Sequence, residues 1–230
     1  MALKDTPLFA RGATAGVTAA TDQTQLEGLV YEFEDLNWSD TGVKSARSGK
    51  LVKCMIVRNT SGINLLPGRL ARFATTGGSP LACLARVDGY AGLVDAEAFA
   101  GVVDEWLPAA GVANNDLFYI VIQGPSRCLA ALDGSAATTG PSFNGNTISY
   151  AIGDLLTCIT AATSQCTTAG RVQVAALTFS ITQGTDAAIT RRHTRNVVGS
   201  AMSTRSSTAA TNSTTAGITN QGILVDVRRW

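Results

Sequence analysis

Charge is scarce in this 230-residue chain: Asp, Glu, Lys and Arg make up 15% of it, against ~25% in an ordinary soluble domain. The two signs nearly cancel, leaving a formal net charge of +1. Such a chain has no global field to draw in nucleic acid or an anionic membrane. Polyelectrolyte disorder is excluded too, because it needs low hydrophobicity, and 45% of these residues are apolar. Aromatic residues amount to 6%, so aliphatic side chains must build most of the core. Histidine occurs once, at His193, which rules out a site built on two imidazoles. Its neighbours Arg191, Arg192 and Arg195 disfavour a cationic ring, and it reads as a surface residue of a basic loop. No apolar stretch nears the ~18 residues of a membrane-crossing helix. The first residues, Met1-Ala2-Leu3-Lys4-Asp5-Thr6-Pro7, lack the apolar run of a secretory signal.

Cysteine is present five times but never as C-x-x-C, so neither a zinc ribbon nor a full disulfide framework is indicated. Cys54 and Cys158 sit in apolar runs and read as small buried hydrophobes within strands. Synthesis and assembly under reducing conditions is the expectation.

Catalytic groupings are equally sparse. Residues 42–50 look briefly like a phosphate loop, but the glycines are too far apart and Leu51 stands where Ser or Thr should bind magnesium. Glu32 and Glu34 share one side of a strand, yet nothing supplies a pocket or a raised pKa. Asp104-Glu105-Trp106 invites a carbohydrate-binding reading, but one tryptophan is no platform. The expectation is a protein that is not an enzyme, with no catalytic residues, cofactor, metal or small-molecule substrate.

What is present is a succession of short strands. Some 70% of the unfolded surface can be buried at this length, enough for a core without staples. Residues 30–35 alternate apolar with acidic side chains, as a half-buried strand does. Residues 51–58 form a second strand, ended by the Asn59-Thr60-Ser61-Gly62 turn. Leu65-Leu66-Pro67-Gly68 is a further turn, leading into a strand over 69–74. Weaker strands are expected over 82–90 and 98–106, with a short helical turn over 93–99 as the alternative. Residues 117–122 make the clearest strand, closed by Gln123-Gly124-Pro125 and followed by another over 127–132. Late strands are predicted at 154–160, 171–181 and 222–230. This pattern argues for an all-β barrel or sandwich. Residues 1–27 lack any sustained period and read as an extended arm, with 28–184 the main β domain. Residues 185–230 form a Thr/Ser-rich excursion and a C-terminal strand packing on that domain.

Charge placement is uneven. Asp88, Asp95, Glu97, Asp104, Glu105 and Asp116 occupy a stretch without Lys or Arg. Arg191, Arg192, Arg195 and Arg205 occupy one without acids. Complementary patches of this kind can set register between neighbouring copies or with a partner. Lysine stops at Lys53, after which every basic side chain is arginine, the cation that interfaces favour.

The run Asn59-Thr60-Ser61-Gly62-Ile63-Asn64-Leu65-Leu66-Pro67-Gly68-Arg69-Leu70 resembles a turn between barrel strands in the capsid decoration (cement or head-stabilisation) proteins of tailed bacteriophages. Residues 117–125 are similar to the strand ending in Gly-Pro that follows it, and Ile152-Gly153-Asp154-Leu155-Leu156 and Ala169-Gly170-Arg171-Val172 to the turn-strand units of small SH3-like barrels. The resemblance covers roughly residues 51–176. It implies SH3-like or β-tulip-like elements and a non-enzymatic homotrimer, made in the host cytoplasm, that clamps the major capsid protein on the exterior of the virion. On that reading the arm adds to a neighbour's sheet edge, with Leu3, Leu8 and Phe9 as anchors. Arg11, Arg191, Arg192, Arg195 and Trp230 complete the set expected to meet the capsid or a neighbouring subunit. The alternatives are another virion β-barrel protein (tail tube, fibre or head–tail connector), a carbohydrate-binding module using Trp38, Trp106 or Tyr119, and a hydrolase using Cys128 or Ser79.

Overall fold

The structure is a computed structural model that describes residues 7, 9–15, 26–38, 44–74, 85–91, 99–130, 147–158, 170, 172–174, 197–208 and 222–228. Every regular element among them is a strand. In chain order these are β1 (Val30–Trp38), β2 (Lys44–Asn59), β3 (Leu70–Phe73), β4 (Arg86–Tyr90), β5 (Phe99–Val103) and β6 (Leu117–Leu129). There follow β7 (Thr147–Tyr150), β8 (Leu155–Cys158), β9 (Val172–Val174), β10 (Val197–Ala201), β11 (Arg205–Thr208) and β12 (Gly222–Arg228). The all-β expectation therefore holds for the described residues.

Ten strands form one sheet in the order β1-β2-β4-β3-β5-β6-β12-β10-β8-β9, and β7 pairs separately with β11. β2 also pairs with β6, so β2, β4, β3, β5 and β6 close on themselves as a ring. The β2–β4 pairing is parallel, which makes the sheet mixed.

Period-two alternation sorts the ring's side chains into two clusters. Met55 and Val57 of β2 join Ala71, Phe73, Val87, Ala100, Val103, Phe118 and Ile120, drawn from all five ring strands. The intervening residues Cys54, Ile56, Leu117, Tyr119 and Val121 belong to a larger cluster shared with β8, β10 and β12. Backbone register explains the sorting: Met55 lies opposite Ile120, and Ile120 opposite Val103. One residue along, Cys54 and Val102 both lie opposite Val121.

Two strand predictions need correction. The Gly124-Pro125 pair does not end a strand, since β6 runs on through it to Leu129. Gly124 absorbs the bend at a φ of +95°, where a Cβ would collide with the Leu51 carbonyl oxygen. Pro125 costs no ladder bond. The N–H groups of Arg127 and Leu129 point away from β12, to Glu105 and to the Gly68 carbonyl, and Pro125 shares their side of the strand. Second, the Thr/Ser-rich stretch read as an excursion contributes β10, which pairs with both β12 and β8 inside the main sheet, and β11. The helical turn expected over 93–99 falls almost wholly outside the described residues.

Candidate functional site

The most elaborate side-chain arrangement sits where the N-terminal segment crosses β1 and the loop after β5. Between Glu34 and Leu36 of β1 the register slips, so that Asp35 faces residues 47–50 of β2 rather than a single partner. Such a bulge redirects side chains. Here it brings Arg47 over Asp35, with Nη2 2.7 Å from Oδ1, and on to Glu105 Oε1 at 2.8 Å. The Asp35 side chain is fully buried and that of Glu105 nearly so. Burial works against the Arg47 charge, but hydrogen bonds to Glu105 and Asp35 outweigh it and hold the guanidinium pKa above its ordinary value. Glu105 also accepts the Arg127 N–H at 3.1 Å, standing in for a strand neighbour, and Trp106 lies beneath Arg47 with its ring 6.0 Å from the guanidinium carbon.

Next to this triad Arg11 reaches Asp104, Nη2 to Oδ1 at 2.8 Å and Nε to Oδ2 at 3.4 Å. The Gly12 N–H donates to the same carboxylate at 3.0 Å. Gly12 has a φ of +80°, and a Cβ there would lie 2.6 Å from the Trp106 carbonyl oxygen, so only glycine fits the crossing. Phe9 stacks on Tyr119 with ring centroids 4.5 Å apart, while Tyr31 and Phe33 of β1 meet the same ring edge-on at 6.1 and 5.2 Å. The Ala15 N–H donates to the Leu117 carbonyl at 3.0 Å.

These contacts change the sequence expectations. Phe9 and Arg11, expected to meet a neighbour, are engaged by this chain's own Tyr119 and Asp104. The physical reason is a buried carboxylate that needs a cation and an aromatic slot that Phe9 fills. Three acids of the acidic stretch are paired within the chain, Asp88 with Arg72, Asp104 with Arg11 and Glu105 with Arg47, while Asp95 and Glu97 lie outside the described residues. Leu3, Leu8, Arg191, Arg192, Arg195 and Trp230 lie outside the described residues. Tyr119, offered as a carbohydrate platform, is wholly buried. Cys128, offered as a nucleophile, is wholly buried as well, and burial, with Glu105 adding to it, pushes its thiol well above the usual range. The buried pairing of Asp35 with Arg47 is not foreseen from the sequence. The run containing Arg47 reads only as a failed phosphate loop, and no local signal reveals the bulge.

Two open surfaces stand out among the described residues. On the outer face of the β1–β2 pair, Val30 and Leu51 are 50% and 55% exposed and flank the Glu32–Lys53 ion pair at 3.4 Å. Where β6 passes from pairing with β2 to pairing with β12, an open cleft of about 450 Å³ is lined by Lys50, Leu51, Gln123, Gly124, Asp226, Val227 and Arg228. Lys50 and Arg228 both lean on Asp226, at 3.3 and 3.6 Å. Among the described residues no group of three or more His, Cys, Asp or Glu is placed to hold a metal ion. No family model, curated protein or solved structure matches the chain.

Proposed function

We propose that the chain is a virion structural protein, a capsid decoration protein that binds the outer surface of an assembled phage head and reinforces contacts between capsomers. On this reading the five-strand ring is a small β-barrel, the remaining strands form a second layer upon it, and copies associate as homotrimers against the major capsid protein. The observation that carries the reading is the outer face of β1–β2. The strand pair at the sheet edge exposes Val30 from β1 and Leu51 from β2 on either side of the Glu32–Lys53 ion pair, a mixed apolar and charged surface that another protein can cover. One side of β1 is paired among the described residues, so its other edge can accept a strand from a capsid loop. Many such weak attachments over a shell multiply into firm reinforcement.

The test is incubation of the purified protein with expanded capsids of its own virus, followed by cryo-EM and heating of the particles. Density outside the shell, with raised thermal tolerance, is the expected result. Val30→Lys with Leu51→Lys should abolish binding while leaving the unfolding midpoint nearly unchanged, since both side chains are exposed. Absence of binding, or density in stacked tail rings, overturns the proposal.

A further inference from the structure

We propose that the groove holding Phe9, Arg11 and Gly12 is a receptor for that same segment from a second copy of the chain, so that neighbouring copies exchange their N-terminal segments. This goes beyond the capsid reading and does not depend on it, because exchange between copies is measurable with no shell present.

Recognition in the groove is local and complete. An aromatic slot takes Phe9, a buried carboxylate takes the Arg11 fork, and a gap beside Trp106 admits only glycine. The Leu117 carbonyl then fixes the backbone direction. None of these contacts requires that the occupant belong to the same molecule. Asp104 is fully buried, with Arg11 as its cation among the described residues, so a vacated groove would leave an uncompensated charge. A departing segment must therefore be replaced, and the natural replacement is its equivalent from another copy.

Covalent geometry permits the replacement. Ten residues, 16–25, join Ala15 to Leu26 and can span up to ~36 Å. The two anchor points are much closer together. Ala15 bonds to Leu117, Leu117 lies opposite Arg58, and Gly28 bonds to Ile56 two residues along β2. Strand spacing and rise put that separation at roughly 20 Å. The slack leaves reach for an adjacent groove. A covalent connection of this length gives the intramolecular form an effective concentration of order mM. At μM concentrations the segment stays at home, whereas copies crowded side by side compete on equal terms.

The full-length chain supplies the test. Arg11→Asp and Asp104→Arg each place like charges in their own groove, but in a mixture each segment matches the other copy's groove. The mixture should associate, by native mass spectrometry and light scattering, at concentrations about tenfold or more below either variant alone. The double variant, matched within one chain, should return to wild-type behaviour. A second variant leaves the groove intact: deletion of residues 17–24 cuts the linker's reach to ~10 Å, too short for the intramolecular arrangement. It should become an obligate oligomer, and adding Arg11→Ala should restore monomers. A monomeric deletion variant, or an oligomer indifferent to Arg11→Ala, overturns the proposal whatever the capsid experiment shows.

Discussion

At the scale of single residues, buried charge decides more than its scarcity suggests. Arg47 neutralises two carboxylates that have almost no access to water, one from β1 and one from the loop after β5. Replacing it by methionine keeps the stem and removes the charge. Two uncompensated buried acids would remain, a loss of about 3–5 kcal/mol, read as a lower urea midpoint at unchanged m-value. Lys53→Ala, by contrast, breaks an exposed pair and should shift stability by no more than about 1 kcal/mol. The thiols make a second residue-scale prediction. Burial raises the pKa values of the Cys54 and Cys128 thiols and of the Tyr119 phenol above their ordinary values. A folded pKa above the unfolded one means stability that is fully present below the unfolded value and fades as pH climbs past it. Unfolding free energy should thus be flat to about pH 8.5 and then fall, by up to ~1.4 kcal/mol per unit for each group. Urea melts at successive pH values check this, and Cys54→Val should flatten part of the slope. Native protein should also withhold Cys54, Cys128 and Cys158 from thiol reagents until denatured.

At the scale of elements, legibility followed local periodicity. The strands at 51–58 and 117–122, and the one in the C-terminal tail, were readable because β-branched and aromatic residues alternate or cluster there between turn residues. What escaped was set by distant partners. β7, β10 and β11 are four or five residues long and lie in or near Ser/Thr-rich sequence, with too few apolar positions to show a period. Gly124-Pro125 carries the strongest turn signal in the chain, yet it is a bend inside one strand, because β12 takes over the pairing that β2 relinquishes. The same holds for the site. Phe9 and Arg11 were legible as anchors by residue type, whereas their receptor, assembled from β1, β6 and the loop between β5 and β6, was not. Gly124→Ala tests the bend: a forced positive φ costs about 1–3 kcal/mol, and the collision with the Leu51 carbonyl adds to it. Stability should fall by at least that amount, and hydrogen exchange should quicken along residues 123–129 before the rest of the sheet.

At the scale of the whole molecule, two hydrophobic clusters do not amount to two independent cores. Consecutive residues of β2 and β6 point alternately into each: Met55, Val57, Phe118 and Ile120 into the ring cluster, Cys54, Ile56, Tyr119 and Val121 into the larger one. Melting either cluster would pull both shared strands out of the other, and the Phe9 and Arg11 contacts would go with β6 and Asp104. The described sheet should therefore unfold in one step although it exceeds the usual size of a single cooperative unit. Phe118→Ala in the ring and Ile223→Ala beyond it should cost about 3–5 and 2–5 kcal/mol respectively. Each should move tryptophan fluorescence and far-UV circular dichroism together, in one coincident transition. A substitution in one cluster that splits the two probes would mean that β2 and β6 separate the halves rather than couple them. In that case melting the larger cluster, which holds Tyr119 with Phe9, Tyr31 and Phe33 packed against it, would open the groove while the ring stayed folded, and exchange of N-terminal segments should cease in the half-unfolded protein.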